Sequence, residues 1–385
     1  MVKNVFDFCI VGGGMVGAAT ALGLAQRGFS IALIETRMPA AFIPDTPPDM
    51  RVSAISVTSE QLLHRLGAWS HIKAMRLCSY RRLSVWEKED CRTDFNCADI
   101  QCEHLGHIVE NSVVQLGLHQ ALASYDKVQW FTQSPVKNIL LQGAPVVQLA
   151  DGEQVSCKIL IGADGLNSTV RQAANIGTKG WQYRQQALAI QIKTRSAQQD
   201  ITWQQFTPSG PLAFLPLYDN YASLVWYHSG DRVQHLRSLA LDKLKQQIVA
   251  NFPKELVDFD ILQVASFPIM RMHANQYVKE NVMLIGDAAH CINPLAGQGV
   301  NLGFKDVAAL LECLDKHSAV PQALQAYQQA RRGDNLMMMS AMDVIYATFS
   351  QSHPLITLCR NLGLKLANAS GPIKHQVMKY AMGLK

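Results

Sequence analysis

The segment from Gly286 to Gly303, GDAAHCINPLAGQGVNLG, concentrates residue types that suit the binding of a ring compound attached to a sugar. It follows the apolar run VMLI and precedes the helical pattern FKDVAALLECL, so we predict a strand-to-helix turn. Asp287, at the end of the strand, can accept hydrogen bonds from sugar hydroxyls. Pro294 fixes an extended bend, while Gly297 and Gly299 keep side chains away, so a flat ring fits against the backbone N–H groups that begin the next helix.

A helix amino terminus beneath such a ring stabilises negative charge on it, which is how proteins tune a reduced flavin. We therefore predict that the turn holds an isoalloxazine and its ribityl chain, with Asn301 among the cofactor-binding residues. A free histidine side chain has a pKa near neutrality, so His290 could act as a general base. Because a histidine that only orients the turn by hydrogen bonding is the commoner case, we assign it no catalytic role.

The amino-terminal end carries a second pattern, which suits a nucleotide. VFDFCIVGGGMVGAATALGLAQRGFSIALIE predicts a strand at Val5–Val11, a helix at Met15–Arg27 and a second strand at Ile31–Glu35. This order is a βαβ unit. The run from Phe8 to Ala25 holds no charge, but its five glycines argue against a signal peptide or a membrane span, so we predict no targeting segment.

The turn of this unit has the spacing Gly12-x-Gly14-x-x-Gly17. Gly12 permits the sharp bend, Gly14 lets the backbone approach a pyrophosphate, and Gly17 lets the helix pack closely on the strand. Free N–H groups at the helix start favour phosphates, and Glu35 is placed to accept hydrogen bonds from a ribose. The pattern leaves NAD, NADP and FAD open, although an acidic residue at this position disfavours a 2′-phosphate.

A third strand ends in a carboxylate within VSCKILIGADGLNSTVR, where Asp164 and Gly165 precede a polar helix start with Ser168 and Arg171. A carboxylate beside glycine at a strand end is often only a turn, and this segment alone does not separate a turn from a binding site. In the company of the other two segments, it predicts that Asp164 belongs to the cofactor site.

These three motifs, in this order, are together a specific signal. In them the chain resembles the single-component FAD-dependent aromatic hydroxylases, whose fold is that of para-hydroxybenzoate hydroxylase. RVSAIS (Arg51–Ser56) and GHIVENSVVQ (Gly106–Gln115) resemble the ubiquinone-biosynthesis branch of the family. TWQQFTPSGPLAFLPLYDN and KYAMGLK are similar to a member of that branch whose substrate is a methoxy-benzoquinol.

The resemblance implies an α/β fold, with a Rossmann-like FAD-binding domain of the para-hydroxybenzoate hydroxylase type, an inserted antiparallel β-sheet substrate domain and a helical C-terminal segment. It places the FAD-binding domain at residues 1–80, 105–180 and 270–330, the substrate domain at 81–104 and 181–269, and the helical segment at 331–385. The residues agree independently, because alternating or aromatic runs predict antiparallel strands at Gln186–Lys193, Thr202–Phe206, Leu212–Leu217 and Ala222–Tyr227.

The resemblance also implies an FAD-dependent NAD(P)H:O2 aromatic monooxygenase. NADPH or NADH reduces FAD, O2 adds at flavin C4a, and the hydroperoxide hydroxylates the ring of a polyprenylated methoxy-benzoquinol. By match to the family motifs, the Pro294 carbonyl faces the substrate hydroxyl and Asp287 holds the ribityl chain. Arg51 lies by the flavin, Asp164 supports the FAD and the approach of nicotinamide, and Asn111 reaches the FAD.

The rest of the sequence argues against other chemistries. It contains no second dinucleotide fingerprint, GxSxG, HExxH or P-loop, which disfavours a separate reductase domain, the usual hydrolases and kinases. Nine cysteines, odd in number and without paired spacing, favour a reducing compartment. Cys91, Cys97 and Cys102 lie near His104 and His107, but without CxxC or HxxxH spacing, so we predict no metal site.

The net charge of +5 resides in residues 331–385, which hold seven basic and two acidic residues, so we expect no nucleic-acid partner. In PLITLCRNLGLKLANASGPIKHQVMKYAMGLK, apolar residues alternate at helical spacing with Lys and Arg. Such a segment lies on an anionic membrane, docks on a partner or packs on its own domain. A polyprenyl quinol substrate favours membrane or complex association. We expect a bacterial cytoplasmic protein, peripheral to the inner face of the plasma membrane, with other ubiquinone-biosynthesis proteins as partners.

Two alternatives to this function stay open. A sister hydroxylase would attack another ring position of a polyprenylphenol. A non-catalytic FAD-bound scaffold of the ubiquinone-biosynthesis complex would bind flavin without substrate-stimulated consumption of NAD(P)H. The glycine-containing turn at Pro294–Asn301 argues against the scaffold, which has no need of a ring-sized cradle free of side chains.

Overall fold

The computed structural model describes residues 5–293, 299–351, 353–369, 371, 375–376 and 382. The strands are β1 (Phe6–Val11), β2 (Ile31–Glu35), β3 (Val52–Ser56), β4 (Cys78–Tyr80), β5 (Arg82–Trp86), β6 (Thr93–Asn96), β7 (Gly106–Glu110), β8 (Val128–Thr132), β9 (Val136–Leu140), β10 (Val146–Leu149), β11 (Gln154–Gly162), β12 (Thr178–Thr194), β13 (Ile201–Gln205), β14 (Leu212–Pro216), β15 (Tyr221–Ser229), β16 (Phe259–Ala274), β17 (Val278–Lys279), β18 (Val282–Leu284) and β19 (His290–Cys291).

The α-helices are α1 (Met15–Gln26), α2 (Val57–Arg65), α3 (Trp69–Met75), α4 (Asn111–Leu122), α5 (Thr169–Ala173), α6 (Gly230–Ser238), α7 (Leu241–Asn251), α8 (Gly299–Lys316), α9 (Val320–Phe349) and α10 (Pro354–Ala369). Short 3₁₀ turns occur at Glu89–Cys91, Cys97–Ile100 and Gly286–Ala288.

The first sheet is built around parallel strands in the order β18, β11, β1, β2 and β8. Its central strands are continuous apolar runs, such as IALIE in β2, because both faces of a parallel sheet are covered by other elements. The predicted βαβ unit is confirmed, with β1 beginning at Phe6 and α1 ending at Gln26. β17 pairs antiparallel at one edge, and β9 and β10 form an antiparallel extension beside β11.

Helix α1 packs directly on α8, and glycines make this contact close. A Cβ at Gly303 would lie 2.5 Å from Val16 Cγ2, and one at Gly23 would lie 2.5 Å from Leu311 Cδ1. Since real Cβ contacts are not this short, a larger residue at either position would push the helices apart. This packing sets the helix that follows the GxGxxG turn against the helix that follows the Asp287 segment.

The second sheet has the order β19, β16, β12, β15, β14, β13, β5 and β6. Every pairing in it is antiparallel except β13 with β5, which is parallel. The prediction of an antiparallel sheet is therefore confirmed apart from this pair. β5 and β13 are far apart in the chain, so no tight turn dictates their direction. β3, β7 and β4 form a third, antiparallel sheet.

Separate apolar clusters lie behind the two large sheets. The first contains side chains such as Phe8 and Phe304, and the second contains Trp86, Trp203 and Phe214 together with apolar residues of α6 and α7. The fold class predicted from the sequence is confirmed, whereas its residue boundaries between domains stay a prediction.

The helical C-terminal part begins with α9, which packs on α8, and continues with α10, which lies against β6. Arg360 anchors α10, since its guanidinium pairs with Glu87 and its Nη1 donates to the Thr348 carbonyl oxygen at 2.6 Å. Among the described residues, no helix has the length and apolar character that crossing a bilayer requires.

Candidate active site

Three neighbouring parallel strands bring the three sequence motifs to one edge of the first sheet. β1 leads into the GxGxxG turn, β11 into Asp164 and β18 into Asp287. In the ladder, Val11 lies opposite Gly162, and Gly162 lies opposite Leu284. Because the carboxyl ends of parallel strands meet at one edge, the motifs surround the place where open α/β sheets bind ligands.

The GxGxxG turn bends sharply and leaves one side open. Gly12 has φ +101°, and a Cβ there would lie 2.4 Å from the Ala163 oxygen. A Cβ at Gly17 would lie 1.8 Å from the Gly12 oxygen, so only glycine lets α1 pack against the turn. A Cβ at Gly14 would meet no atom of the described residues within 4 Å. The described part of the chain therefore leaves space beside Gly14 at the start of α1, where free N–H groups and the helix dipole attract phosphate.

Glu35 is held at the end of β2 by backbone groups. Its Oε2 accepts a hydrogen bond from Gly13 N at 2.8 Å, and its Oε1 accepts one from Arg37 N at 2.8 Å. Each carboxylate oxygen has a second lone pair. The carboxylate is thus fixed in place beside the glycine turn while it keeps the capacity to accept hydrogen bonds from ribose hydroxyls.

Two side chains of α4 that sequence reasoning missed hold the same turn. Gln115 Nε2 donates to the Gly13 oxygen at 3.0 Å, and His119 Nε2 lies 2.7 Å from that oxygen. Burial lowers the pKa of His119, which packs edge-on against Trp130. The four-residue spacing puts Gln115 and His119 on one helix face, but nothing in the spacing says what that face contacts.

The pairing of β3 with β7 brings Arg51 and Asn111 together. Asn111 N donates to the Arg51 carbonyl oxygen at 2.9 Å, at the end of the antiparallel ladder. Asn111 Oδ1 accepts a hydrogen bond from Ser53 Oγ at 2.7 Å, so a cofactor contact by this side chain would use its NH2 group. Arg51 is exposed. Arg51 and Asn111, which the sequence analysis predicted as separate cofactor-binding residues, therefore lie together beside the start of α4.

Asp164 caps α5 with one oxygen and leaves the other without a protein partner. Its Oδ2 accepts hydrogen bonds from Thr169 N at 2.6 Å and from Val170 N at 3.2 Å. Its Oδ1 is buried and has no hydrogen-bond partner among the described residues. A buried carboxylate oxygen without a hydrogen bond lowers the stability of the folded protein unless a ligand donates a hydrogen bond to it. Asp164 therefore suits a bound cofactor with hydroxyl or N–H donors.

Arg171, on α5, connects two of the motifs. Its Nη1 donates to the Ala288 oxygen at 2.9 Å, and its Nη2 donates to the Leu166 oxygen at 2.6 Å. Ser168 Oγ accepts a hydrogen bond from Arg171 N at 3.0 Å and so begins the helix. The side chain thereby fixes the position of the Asp164 turn relative to the Asp287 turn.

Asp287 lies in the 3₁₀ turn that follows β18. The residue is exposed, yet the protein atoms around it displace enough water that desolvation raises its pKa. The positive charge of His290 opposes this rise and the negative charge of Asp306 adds to it. Asp287 is therefore accessible to a ligand at the end of β18, and its carboxylate is less hydrated than a free aspartate.

The next part of the segment is described only from Gly299 onward. Pro294 and Gly297 lie outside the described residues, and their roles stay predictions. Gly299 begins α8, and among the described residues the atom nearest to a Cβ built there is Ile292 Cγ2 at 3.9 Å. The described part of the chain therefore leaves room beside the start of α8, as a flat ring against the helix N–H groups requires.

Asn301 is buried, and its side chain binds the protein. Its Oδ1 accepts hydrogen bonds from Ser56 N at 3.0 Å and Ser59 Oγ at 2.7 Å, and its Nδ2 donates to the Ala54 oxygen at 2.7 Å. The side chain thus fixes the start of α8 against the end of β3. The predicted cofactor contact of Asn301 is compatible with its backbone rather than with its amide group.

His290 belongs to a buried ionic network behind the turn. Its Nε2 lies 2.5 Å from Asp306 Oδ2, and Arg331 Nε lies 2.8 Å from Asp306 Oδ1. Asn335 Nδ2 donates to Asp306 Oδ1 at 3.1 Å. Burial alone would raise the pKa of Asp306, but the charges of His290 and Arg331 lower it. His290 therefore orients the turn by hydrogen bonding, in agreement with the sequence interpretation.

A polar group on the second sheet lies beside the same segment. The Tyr183 hydroxyl donates to Asp343 Oδ1, and Arg271 Nε lies 2.7 Å from Asp343 Oδ2. Burial and the charge of Asp343 raise the pKa of Tyr183. Asn293, immediately before the undescribed segment, is buried beside Tyr183, whose pKa it lowers, but neither polar atom of its amide makes a well-aligned hydrogen bond in the described part of the chain. Sequence reasoning missed this group, whose members come from four separate segments.

This combination of a βαβ phosphate turn, an acidic residue after the second strand and two further acidic strand ends defines a flavoprotein. The chain belongs to the family described as FAD binding domain, which matches residues 6–339. It is 46% identical to the 3-demethoxyubiquinol 3-hydroxylase of Escherichia coli K12, over 100% of both chains. It is 33% identical to the mitochondrial ubiquinone biosynthesis monooxygenase COQ6 of Xenopus tropicalis, over 98% of this chain and 93% of the relative.

Solved structures of flavin monooxygenases share the fold. The p-nitrophenol 4-monooxygenase PnpA of Pseudomonas putida superposes with a TM-score of 0.81 over 99% of both chains, at 16% identity. The probable FAD-dependent monooxygenase pqsL of Pseudomonas aeruginosa gives a TM-score of 0.76 over 90% of this chain and 97% of its own, at 19% identity. At these identities the likeness concerns the fold alone.

Proposed function

We propose that this protein is an FAD-dependent monooxygenase that hydroxylates the ring of a polyprenylated methoxy-benzoquinol in ubiquinone biosynthesis. The observation that carries the proposal is the full-length identity of 46% to a demethoxyubiquinol hydroxylase. The three motif-bearing strand ends of the first sheet supply the matching cofactor site. NADPH or NADH and O2 are the co-substrates of this chemistry.

The described residues suit FAD. The start of α1 at Gly14 would hold the pyrophosphate, Glu35 a ribose, and Asp287 the ribityl chain. Arg51 and Asn111 would lie beside the ring system, and Gly12 and Gly17 would shape the turn. Bound FAD supplies the redox chemistry, by accepting a hydride from NAD(P)H and activating O2. Asp164, with its unpartnered buried oxygen, would receive a hydrogen bond from the cofactor.

The chain's own contribution is to position the quinol ring and exclude water. The Tyr183, Asp343 and Arg271 group provides a polar end for the substrate pocket, and Asn293 offers an amide to a ring substituent. In this proposal the Tyr183 oxygen accepts the proton of the substrate hydroxyl while its own proton passes to Asp343. The match to the family motif suggests that the carbonyl of Pro294, which lies outside the described residues, would face the same hydroxyl.

The C-terminal helix supports contact with a lipid surface. One face of α10 is apolar and exposed, with Leu355 65%, Leu358 65%, Leu362 53% and Leu366 60% exposed. Its other side is anchored by the buried pair of Arg360 with Glu87, which directs these leucines away from the core. Because the segment after Asp343 contains basic residues and no acid, an anionic membrane complements it.

We place the protein in the bacterial cytoplasm, peripheral to the inner face of the plasma membrane and beside other ubiquinone-biosynthesis proteins. A polyprenyl substrate has to be taken from a bilayer or a lipid-carrying protein. Helix α10, which carries the exposed leucine face, contacts β6 of the second sheet with its other side. This arrangement would bring the pocket close to the lipid source.

Oxygen uptake by the FAD-loaded protein, with NADH or NADPH and a short-chain demethoxyubiquinol analogue, tests the function. We expect substrate-stimulated uptake and a product about sixteen mass units heavier, the mass of one oxygen atom. Product from a polyprenylphenol analogue alone would instead identify a sister hydroxylase. Firmly bound FAD with no stimulated uptake on any analogue would contradict the enzyme and favour the scaffold.

A further inference from the structure

A cluster of three histidines and one glutamate lies away from the candidate FAD site, where α2 meets the start of β7. Glu60 and His64 are one turn apart on α2, and His104 and His107 flank the beginning of β7. The distance from Glu60 Oε2 to His104 Nε2 is 2.7 Å, and that to His107 Nε2 is 3.2 Å. These three ligand atoms all lie within 4.8 Å of one another.

His107 is oriented as metal-binding histidines are. Its Nδ1 lies 3.0 Å from Ser79 Oγ, which fixes the ring and turns Nε2 toward Glu60. The residue is 5% exposed, and its Nε2, although close to Glu60, makes no well-aligned hydrogen bond within the described part of the chain. A buried imidazole nitrogen whose opposite nitrogen is held by a polar group is the usual arrangement of a histidine ligand.

We propose that Glu60, His104 and His107 bind a divalent transition-metal ion of the zinc type, with His64 completing a four-coordinate site. Two imidazoles and a carboxylate are a standard ligand set for Zn²⁺. His64 Nε2 lies 3.7 Å from Glu60 Oε1 and its side chain is 58% exposed, so it is free of tight packing and would turn toward the other three ligand atoms when the ion binds. Cys91, Cys97 and Cys102, which the sequence analysis considered together with the histidines, are not ligands of this site. Glu60 lies in α2, a different segment from the one that holds His104 and His107.

The ion would join two elements that position the candidate FAD site. α2 begins at the serines that hold Asn301, and β7 runs directly into Asn111. A metal bound only by the folded chain stabilises it in proportion to its concentration above the dissociation constant. The site would therefore act as a structural link, and its loss would loosen the support of the flavin pocket without removing a cofactor contact.

The experiment uses the untagged, FAD-loaded full chain, freed of metal by dialysis against a chelator. Isothermal titration with Zn²⁺ is expected to give one ion per chain. Thermal unfolding with Zn²⁺ is expected to give a Tm several degrees higher than without it. Co²⁺ is expected to give the visible absorption of a four-coordinate site with nitrogen and oxygen ligands.

The matched variants are Glu60→Gln, His64→Asn and the control His235→Asn, which replaces an exposed histidine of α6. Glu60→Gln and His64→Asn are expected to weaken Zn²⁺ binding at least about tenfold. Because His64 is largely exposed, its replacement tests the site even if Glu60→Gln fails to fold. Substoichiometric binding, or equal affinity in wild type, His64→Asn and His235→Asn, would overturn the proposal.

Discussion

Arg171 donates a hydrogen bond over 2.9 Å to the carbonyl oxygen of Ala288, and this bond joins the Asp164 turn to the Asp287 turn. The guanidinium also donates to the Leu166 oxygen, and the residue is only 8% exposed. Two of the three motifs at the cofactor edge are thus fixed relative to each other by one side chain rather than by the sheet alone.

Replacing Arg171 by Met should therefore weaken both folding and FAD binding. Two carbonyl oxygens would lose charge-assisted hydrogen bonds, at a cost of about 2 to 3 kcal/mol in the free energy of unfolding. Urea unfolding and FAD titration followed by fluorescence measure the two effects. Arg184→Met, at an exposed position, is the control. Unchanged FAD affinity in Arg171→Met would refute the link between the turns.

Alanine at Gly14 and at Gly17 should have different effects. The Gly14 Cβ would meet no atom of the described residues within 4 Å, so Gly14→Ala should fold normally but bind FAD at least about tenfold more weakly, since the methyl group occupies the ligand side. The Gly17 Cβ would lie 1.8 Å from the Gly12 oxygen, so Gly17→Ala should be destabilised in the apoprotein as well. Thermal unfolding with and without FAD separates the two, and equal destabilisation of both apoproteins would contradict this assignment.

Acidification should destabilise the protein through His273. Burial lowers the pKa of this histidine to about 4, with further lowering by the charges of His290, Arg332 and Arg271. The unfolded chain binds the proton below about pH 6.5 and the folded chain only below about pH 4, so stability falls as pH decreases through this window. The loss is at most about 3 kcal/mol.

Urea unfolding between pH 7 and pH 4 measures this effect. His273→Gln should show a shallower decrease than wild type, whereas the exposed-site variant His235→Asn should retain the wild-type slope. Parallel curves for wild type and His273→Gln would mean that other groups cause the acid sensitivity.

The hydroxyl of Tyr183 should matter for turnover and not for cofactor binding. Tyr183→Phe removes the hydrogen bond to Asp343 and the proposed proton acceptor, so kcat for the hydroxylated product should fall about 100-fold with unchanged FAD affinity. Product analysis together with FAD titration makes the distinction. Tyr125→Phe, on the FAD-side core, is the control, and a normal kcat in Tyr183→Phe would exclude the proton-transfer role.

The leucine face of α10 should determine membrane binding. The double substitution Leu358→Glu with Leu362→Glu should lower binding to anionic phospholipid vesicles at least about tenfold, because it removes apolar surface and adds negative charge. Leu241→Glu, at an exposed leucine of α7, is the matched control. Equal vesicle sedimentation of all variants would rule out α10 as the contact surface.

The local part of the site could be predicted from the sequence because each motif is a short strand-turn-helix unit. Gly12, Gly17 and Glu35 lie where their spacing indicates, since strand, turn and helix follow one another without interruption. The meeting of the three motifs at one edge followed from the resemblance and from the general behaviour of parallel strands. The flavin contacts themselves stay predictions.

Contacts between distant segments could not be predicted in this way. Glu60 and His104 come together because the loop before β7 passes α2, and Tyr183 meets Asp343 because the part of α9 around Asp343 contacts the second sheet. Such contacts depend on the register and packing of whole elements, which residue spacing along the chain does not encode. The same reason explains the unexpected parallel pairing of β5 with β13.

The two-residue strand β19 has a mechanical consequence. His290 pairs with His273 on β16, so the second sheet is hydrogen-bonded to the very segment that leaves β18 of the first sheet. A rotation of one sheet against the other would have to stretch or break this short ladder. Displacement of the second sheet by an incoming ring would therefore also displace the turn that begins at Asp287.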